Sequence, residues 1–244
     1  MNKENNSQIF KSSFVIGITI FLSAVSAAYA FYSVKAMDDA VVVTGSAKKS
    51  VISDQVNWSV NFMRPITLDT VKDGYVKMNS DLKVVKDFFA KNGFVESDLT
   101  ISPVLMNEVY ESNTPAGAAK KYDLVQTISI SSVDVKKVDL ISKNIQELVL
   151  GGVIVNPQSP QYYYSGLQEL KVSLLPEALK DAKTRAEAIV KLAGSSVGKI
   201  KSAGAGVVQV LSPGSSDVSD YGSYDTSSIN KDVMVTVRAS FQIK

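Results

Sequence analysis

Residues 55–93 contain the change of periodicity on which the fold class depends, and they read QVNWSVNFMRPITLDTVKDGYVKMNSDLKVVKDFFAKNG. The first part alternates apolar and polar residues, which is typical of a strand with one buried face. Its apolar members are Val56, Trp58, Val60 and Phe62. Pro65 is expected to stop this strand, and Thr67 can cap the helix that follows it.

Beyond Thr67 the apolar residues recur at steps of three and four, which is the period of an amphipathic helix. They are Leu68, Val71, Tyr75, Met78, Leu82, Val85 and Phe89. Gly93 stands where a left-handed C-terminal cap belongs. A one-sided strand that leads directly into a one-sided helix predicts a domain in which helices pack on a sheet.

Further strands are predicted on both sides of this segment. They lie at 41–44, 99–110, 122–132, 153–164, 199–210 and 232–244. The first of them is expected to end in a turn at Gly45. The strands at 99–110 and 122–132 predict a long hairpin whose tip is the polar segment Ser112–Lys121. The segment 212–230 is rich in Ser, Gly and Asp, a composition that predicts a mobile loop.

Two further helices complete the prediction. One begins after the capping residue Asp134 and ends at Gly151, and the other has Pro176 near its first turn and ends at Gly194. The alanines of the last helix allow it to lie close to a sheet. The predicted class is therefore α+β, with a mixed or antiparallel sheet packed by three helices.

The N-terminus carries an apolar run. Ser12–Val34 contains 23 residues without a charge, and a helix of this length crosses a hydrocarbon core of roughly 30 Å. A cleaved signal peptide is the alternative, because Ala28-Tyr29-Ala30 fits a cleavage site. In either case the rest of the chain is expected outside the cytoplasm. The expected organisation is a short cytoplasmic tail (1–11), a transmembrane anchor or signal peptide (12–35) and an α+β domain (36–244), with the membrane crossed once.

Composition excludes several classes of function. The chain contains no cysteine and no histidine, which removes disulfides, thiolate and imidazole metal sites, and the Ser-His-Asp triad. Its 26 basic and 24 acidic residues nearly balance, whereas a nucleic-acid-binding protein needs a basic surplus. We therefore expect no nucleic-acid partner.

The remaining polar residues offer weak candidates for chemistry. Ser46 with Lys48 or Lys49 would be needed for a Ser-Lys arrangement, but lysines at a strand end are usually solvated. Three aspartates in the Ser/Gly-rich loop have calcium-type oxygen ligands but not the spacing of an EF-hand. They are Asp217, Asp220 and Asp225. We expect no catalytic residue, no cofactor and no metal site.

The strand at 153–164 has no charged residue and ends in three adjacent tyrosines. An exposed strand edge is commonly protected by lysines, so this one is expected to be central in the sheet or at a subunit contact. The polar hairpin tip is a second contact candidate. The candidate contact residues are Tyr162, Tyr163, Tyr164, Pro115 and Gly117.

Two stretches together resemble the SIMPL-domain family of bacterial envelope proteins. They are VVVTGSAKKSVISDQVNWSVNF at 41–62 and YYYSGLQELKVSLLPEALKDAKTRAEAIVKLAGSSVGKIKSA at 162–203. Val56 and Val197 depart conservatively from the residues frequent in the family. The resemblance implies a periplasmic or surface-facing α+β domain, and with the apolar run it implies a location on a bacterial inner membrane. It also implies ring-like or channel-like homo-oligomers in some relatives, an uncleaved anchor in some, and no established catalytic residues.

From the residues and the resemblance we expect a membrane-anchored, envelope-facing structural or interaction protein that self-associates and is not an enzyme. The alternative is a monomeric periplasmic module that binds a small or peptide ligand on the tyrosine-rich edge.

Overall fold

The computed structural model describes residues 3–35, 39–110 and 119–244, and its class is α+β, as predicted. The helices are α1 (Lys3–Lys35), α2 (Val71–Lys91), α3 (Val135–Lys143), α4 (Gln146–Leu150) and α5 (Leu167–Leu192). The strands are β1 (Ala40–Ile52), β2 (Gln55–Thr67), β3 (Leu99–Ile101), β4 (Leu105–Val109), β5 (Lys121–Ser132), β6 (Ile154–Pro157), β7 (Gln161–Tyr163), β8 (Val197–Ala205), β9 (Gln209–Leu211), β10 (Ser223–Tyr224) and β11 (Asn230–Ile243).

Within the described residues, α1 is the one helix long and apolar enough to cross a membrane. The part that meets this criterion is Phe14–Ser33, and none of it is buried in the structure. A helix of this kind near an N-terminus fits both a membrane anchor and a signal peptide, which are the two alternatives predicted for this segment.

The chain forms two compact units. Unit 1 contains residues 1–47, 175–206 and 236–244, and unit 2 contains residues 48–174 and 207–235. One sheet has the strand order β1-β11-β9-β10 with β8 also paired to β11, and the other has the order β3-β5-β2-β6 with β4 paired to β5 and β7 to β2.

The core of unit 2 lies between the second sheet and the helices α2 to α4. The four apolar residues predicted to face inward from β2 are buried, as are Leu124, Ile128 and Ile130 from β5. Trp58 contacts Phe89 of α2 edge-to-face, with ring centroids 5.6 Å apart. The alternation predicted for both strands is therefore confirmed.

The end predicted for β2 is wrong. Pro65 does not stop the strand, which continues to Thr67, and Pro65 lies opposite Asp123 of β5. On its other side β2 pairs with β6 only as far as Met63. Because β6 does not extend beyond Met63, this edge of β2 has no partner from β6 at Pro65. The missing N–H of proline therefore costs no ladder hydrogen bond on that side.

The buried face of α2 agrees with the predicted stripe in its second half only. Met78, Val85 and Phe89 are buried, but Leu68 and Tyr75 are exposed. Leu68 lies in a single 3₁₀ turn before α2 begins. The buried face of the helix instead includes Gly74 and Asp81, and Asp81 accepts two hydrogen bonds from Arg64, at 2.5 and 2.6 Å.

The second and third predicted helices also differ from the structure. The cap at Asp134 is confirmed, since its carboxylate accepts a hydrogen bond of 3.0 Å from the amide of Lys137. The predicted single helix is divided into α3 and α4 at Asn144. Pro176 lies inside α5 rather than near its start. Pro176 is exposed, so a carbonyl left without its helical donor there can bond to water.

Three of the long predicted strands are interrupted. Residues 99–110 form β3 and β4, residues 153–164 form β6 and β7, and residues 199–210 form parts of β8 and β9. Pro103 and Pro160 lie at the first two interruptions, because proline cannot donate to a ladder. In the segment 212–230, β10 pairs in parallel with β9. The predicted mobility of this segment stays a prediction.

In unit 1 the turn predicted at Gly45 is wrong, because β1 runs straight through this residue. A Cβ at Gly45 would lie 2.2 Å from the backbone nitrogen of Ala182 and 2.3 Å from the carbonyl oxygen of Ala178. Glycine is therefore required for the close approach of α5 to β1. The alanines of α5 that face inward are completely buried, which confirms their predicted role.

Candidate functional site

The most unusual surface of unit 1 is the strand β8. None of its nine residues is buried, and seven are exposed. A strand that belongs to a folded sheet ordinarily buries at least one face. Within the described part of the chain β8 pairs with β11 alone, so its second edge and both of its faces are accessible.

The second half of β8 is suited to pair with another strand. Residues 202–205 pair in regular register with residues 237–240 of β11, whereas register shifts occur after Ser240. The sequence SAGAG at 202–206 contains no charge and no proline. Charged residues and prolines commonly protect a sheet edge, and an edge without them is a template for another strand.

An apolar groove lies beside this strand, between α5 and the β8–β11 pair. Its volume is about 460 Å³. The residues that line it are Pro176, Leu179, Lys180, Lys183, Gly198, Ile200 and Phe241. The groove therefore has an apolar floor with two lysines from α5 at one side.

Unit 2 contains a polar cleft of about 330 Å³. Its residues are Asn57, Ser59, Gln158, Ser159, Pro160, Gln161, Thr226 and Ser227. Next to it the outer face of β2 and β5 is joined by hydrogen bonds between side chains, such as Ser131 to Asn57 at 2.8 Å and Ser59 to Ser129 at 2.9 Å. The cleft offers amides and hydroxyls without charge.

The three candidate tyrosines occupy different environments in unit 2. Tyr162 is 5% exposed, and its hydroxyl donates a hydrogen bond of 3.0 Å to Asp139. Burial, together with this hydrogen bond, raises the pKa of Tyr162 to about 12. Tyr163 and Tyr164 are half-buried, and the ring of Tyr163 lies 5.8 Å from that of Tyr224.

The strand that carries these tyrosines is not central. β6 stands at the end of the sheet order, and β7 pairs with β2 at residues 55–57. The strand was predicted to be either central in the sheet or at a subunit contact. The subunit contact is the alternative that remains, and it stays a prediction. Pro115 and Gly117 lie outside the described residues.

Two groups at the weak candidates for chemistry are engaged within the chain. The amide of Ser46 donates a hydrogen bond of 2.8 Å to Asp181, and Lys48 pairs with Asp232 at 2.6 Å. In the described ranges no group of three acidic residues is close enough to hold a metal ion.

A buried lysine in unit 2 was not predicted. Lys231 is completely buried, and its Nζ donates to the carbonyl oxygens of Asp225 and Ser228 at 2.5 and 2.8 Å. Burial would raise the pKa of Asp225, but hydrogen bonds from Ser227 and Ser228, with the nearby Lys231, lower it to about 2. This network ties the Ser/Gly-rich segment to β11.

Sequence reasoning also missed the edge formed by β8. The only signal was the small, uncharged composition of residues 202–206, which equally fits a strand packed against a helix. The buried lysine had no signal at all, because an isolated lysine next to an aspartate is usually solvated.

A model of the SIMPL family, described as a protein of unknown function (DUF541), matches residues 41–241. The match covers nearly all of the chain from β1 to β11 and leaves α1 outside it. It includes both stretches on which the resemblance was based. The comparison with curated proteins gave no match.

Proposed function

The chain belongs to the SIMPL family, and from this premise we propose that it is a membrane-anchored, envelope-facing protein that self-associates through the edge of β8. The family suggests an envelope-related protein. The anchor is supported by the span Phe14–Ser33. The observation that carries self-association is the accessible, uncharged second half of β8.

A second copy of the chain is the occupant that fits this edge best. Its own residues 202–205 form a regular, unprotected strand end, and a strand of the same kind from another copy can supply the missing ladder hydrogen bonds. Such a contact uses the same edge of both copies, so by itself it closes a dimer about a two-fold axis, and a ring-like or channel-like oligomer would need a second contact between dimers.

The proposed role is structural rather than catalytic. Its support is that two of the lysines that could act as a base are already bonded within the chain. Lys48 is paired with Asp232, and Lys231 is bonded to two carbonyls. A general base needs a free, aimed functional group, which neither lysine provides.

We expect the anchor to remain attached to the mature protein. The uncharged run of 23 residues is longer than the apolar region of about 7–15 residues in a signal peptide. Intact-mass measurement of the protein extracted from membranes should therefore include Ser12–Val34. A mature chain that starts at Phe31 would instead identify a signal peptide.

Charges placed on the edge of β8 should disrupt self-association. The double variant Ser202→Lys/Gly204→Glu keeps the net charge, and a Cβ at Gly204 meets nothing within 4 Å. The new glutamate faces Arg238 of β11, so the fold should tolerate it. Burial of two charges between strands should weaken assembly at least about tenfold, which is measured by light scattering of the detergent-extracted protein.

The matched control is Val76→Glu/Asn79→Lys on the exposed side of α2, which adds the same charges outside the strand. It should keep the mass of the unmodified assembly. An edge variant that assembles like the unmodified protein would exclude β8 as the contact.

A monomeric binding module is the second candidate function. The observation in its favour is the cleft of about 330 Å³ in unit 2, whose amides and hydroxyls suit a small uncharged polar ligand or a peptide backbone. If the unmodified protein has the mass of one chain at all concentrations, this alternative replaces self-association.

A further inference from the structure

Several ends of elements in unit 1 come together where the chain enters the folded part. The carbonyl oxygen of Asp39 accepts hydrogen bonds from the amide of Ile243 at 3.1 Å and from Nζ of Lys201 at 3.4 Å. The backbones of Ser196 and Lys244 pair at 2.8 and 2.9 Å. The end of α5, the start of β8 and the end of β11 are therefore near Asp39.

This end of unit 1 carries exposed lysines and exposed apolar side chains, and we call it the basic end. Its members are Ile189, Lys191, Leu192, Lys199, Lys201 and Lys244. Leu192 is 92% exposed and Ile189 is 54% exposed. Lys191 and Lys199 are exposed, and neither has an ion-pair partner among the described residues.

Chain length holds the basic end close to the bilayer if α1 spans it. Asp39 follows Lys35 by four residues, so the two lie at most about 14 Å apart whatever path the chain takes. Lys35 itself directly follows the uncharged run. The surface around Asp39 is consequently confined to the region of the lipid headgroups.

Charge is distributed unequally between the two units. Residues 39–47, 175–206 and 236–244 of unit 1 contain eight basic and four acidic residues, whereas unit 2 contains 15 basic and 18 acidic residues. The unit joined to the apolar helix is therefore the basic one. A basic surface attracts the anionic headgroups of a bilayer, and the attraction decays within a Debye length of about 8 Å.

We propose that the basic end docks on anionic phospholipid of the same bilayer that α1 spans, with its lysines at the phosphates and Leu192 in the headgroup–acyl boundary. Lysines around an exposed leucine are the pairing that interfacial membrane segments use. The occupant is the lipid surface because the tether delivers this end to it. The inference rests on the proposed anchor and is independent of self-association through β8.

Site-specific fluorescence on the full chain tests this docking. The chain has no cysteine, so Ala193→Cys provides a single labelling site beside Leu192. Glu177→Cys, an exposed position of the same unit about 24 Å away along α5, provides the matched control. Both labelled proteins are reconstituted into vesicles that contain phosphatidylglycerol and a quencher attached to the lipid headgroup. We expect at least threefold stronger quenching at residue 193 than at residue 177.

Charge reversal separates docking from simple proximity. Each lysine near an anionic surface strengthens association by about fivefold, so Lys191→Glu/Lys199→Glu should remove most of the quenching at residue 193. Vesicles of phosphatidylcholine alone should have the same effect. The far-UV circular dichroism should stay unchanged, because both lysines are exposed and have no ion-pair partner among the described residues.

Three results would overturn the proposal. Equal quenching at residues 193 and 177 would mean that the basic end is not held at the lipid. Equal quenching in anionic and neutral vesicles would mean that charge does not hold it there. Weak quenching at residue 193 that becomes strong when the protein is diluted in lipid would identify a second copy as the occupant. The mass of the assembly in detergent, measured separately, tests self-association alone.

Discussion

Replacement of Gly45 by alanine is expected to destabilise the protein by about 3 kcal/mol or more. The added Cβ would lie 2.2 and 2.3 Å from backbone atoms of Ala182 and Ala178. Because backbone atoms of α5 cannot move aside as a flexible side chain can, the whole helix must shift away from β1. Thermal unfolding followed by circular dichroism should show a fall in Tm of about 6 °C or more.

Gly204→Ala is the matched control for this prediction. A Cβ at Gly204 meets nothing within 4 Å, so the same chemical change in the same sheet should leave Tm within a few degrees. Similar Tm values for the two variants would contradict the interpretation that Gly45 is required by helix packing.

Replacement of Tyr162 by serine is expected to cost about 3–5 kcal/mol, as other truncations of buried aromatic residues do. Tyr162 is buried in the core of unit 2, and the change also removes the hydroxyl that donates to Asp139. Chemical denaturation should show the loss directly. Tyr164→Ser should cost much less, because Tyr164 is half-buried.

Tyr162→Phe separates packing from hydrogen bonding at this position. It keeps the ring and removes only the bond of 3.0 Å to Asp139, so we expect a loss of about 1 kcal/mol. A folded Tyr162→Ser protein with a smaller assembly mass would show instead that this tyrosine forms a subunit contact.

The parts of the fold that the sequence predicted correctly are those with a regular local period. The alternation in β2 and β5 and the second half of the α2 stripe needed no knowledge of distant residues, because one buried face imposes a period of two or about 3.6. Gly45 was misassigned to a turn because its requirement comes from Ala178 and Ala182, more than a hundred residues away. Pro65 was wrongly predicted to end β2, because only the length of β6 shows that the edge of β2 beside Pro65 is open.

The candidate surfaces were harder to predict for the same reason. Three adjacent tyrosines show that aromatic area is available, but only the pairing of β7 with β2 decides that Tyr162 points into the core. The edge of β8 depends on which strands are missing beside it. The basic end combines residues from α5, β8 and β11 that are distant in sequence and individually look like ordinary surface lysines.

Unit 1 is built from three separate segments of the chain, and the ribosome synthesises them at different times. Its first segment ends at Ala47 and its last begins at Thr236, so roughly 190 residues must be synthesised between them, which takes about 10–40 s at cellular rates. The helix α5 that covers the inward face of β1 is complete only at Leu192, and the C-terminal strand follows later still. Unit 2 lacks only short later segments and can begin to order earlier. We therefore expect the exposed face of β1 to need protection from aggregation until the last strand has left the ribosome.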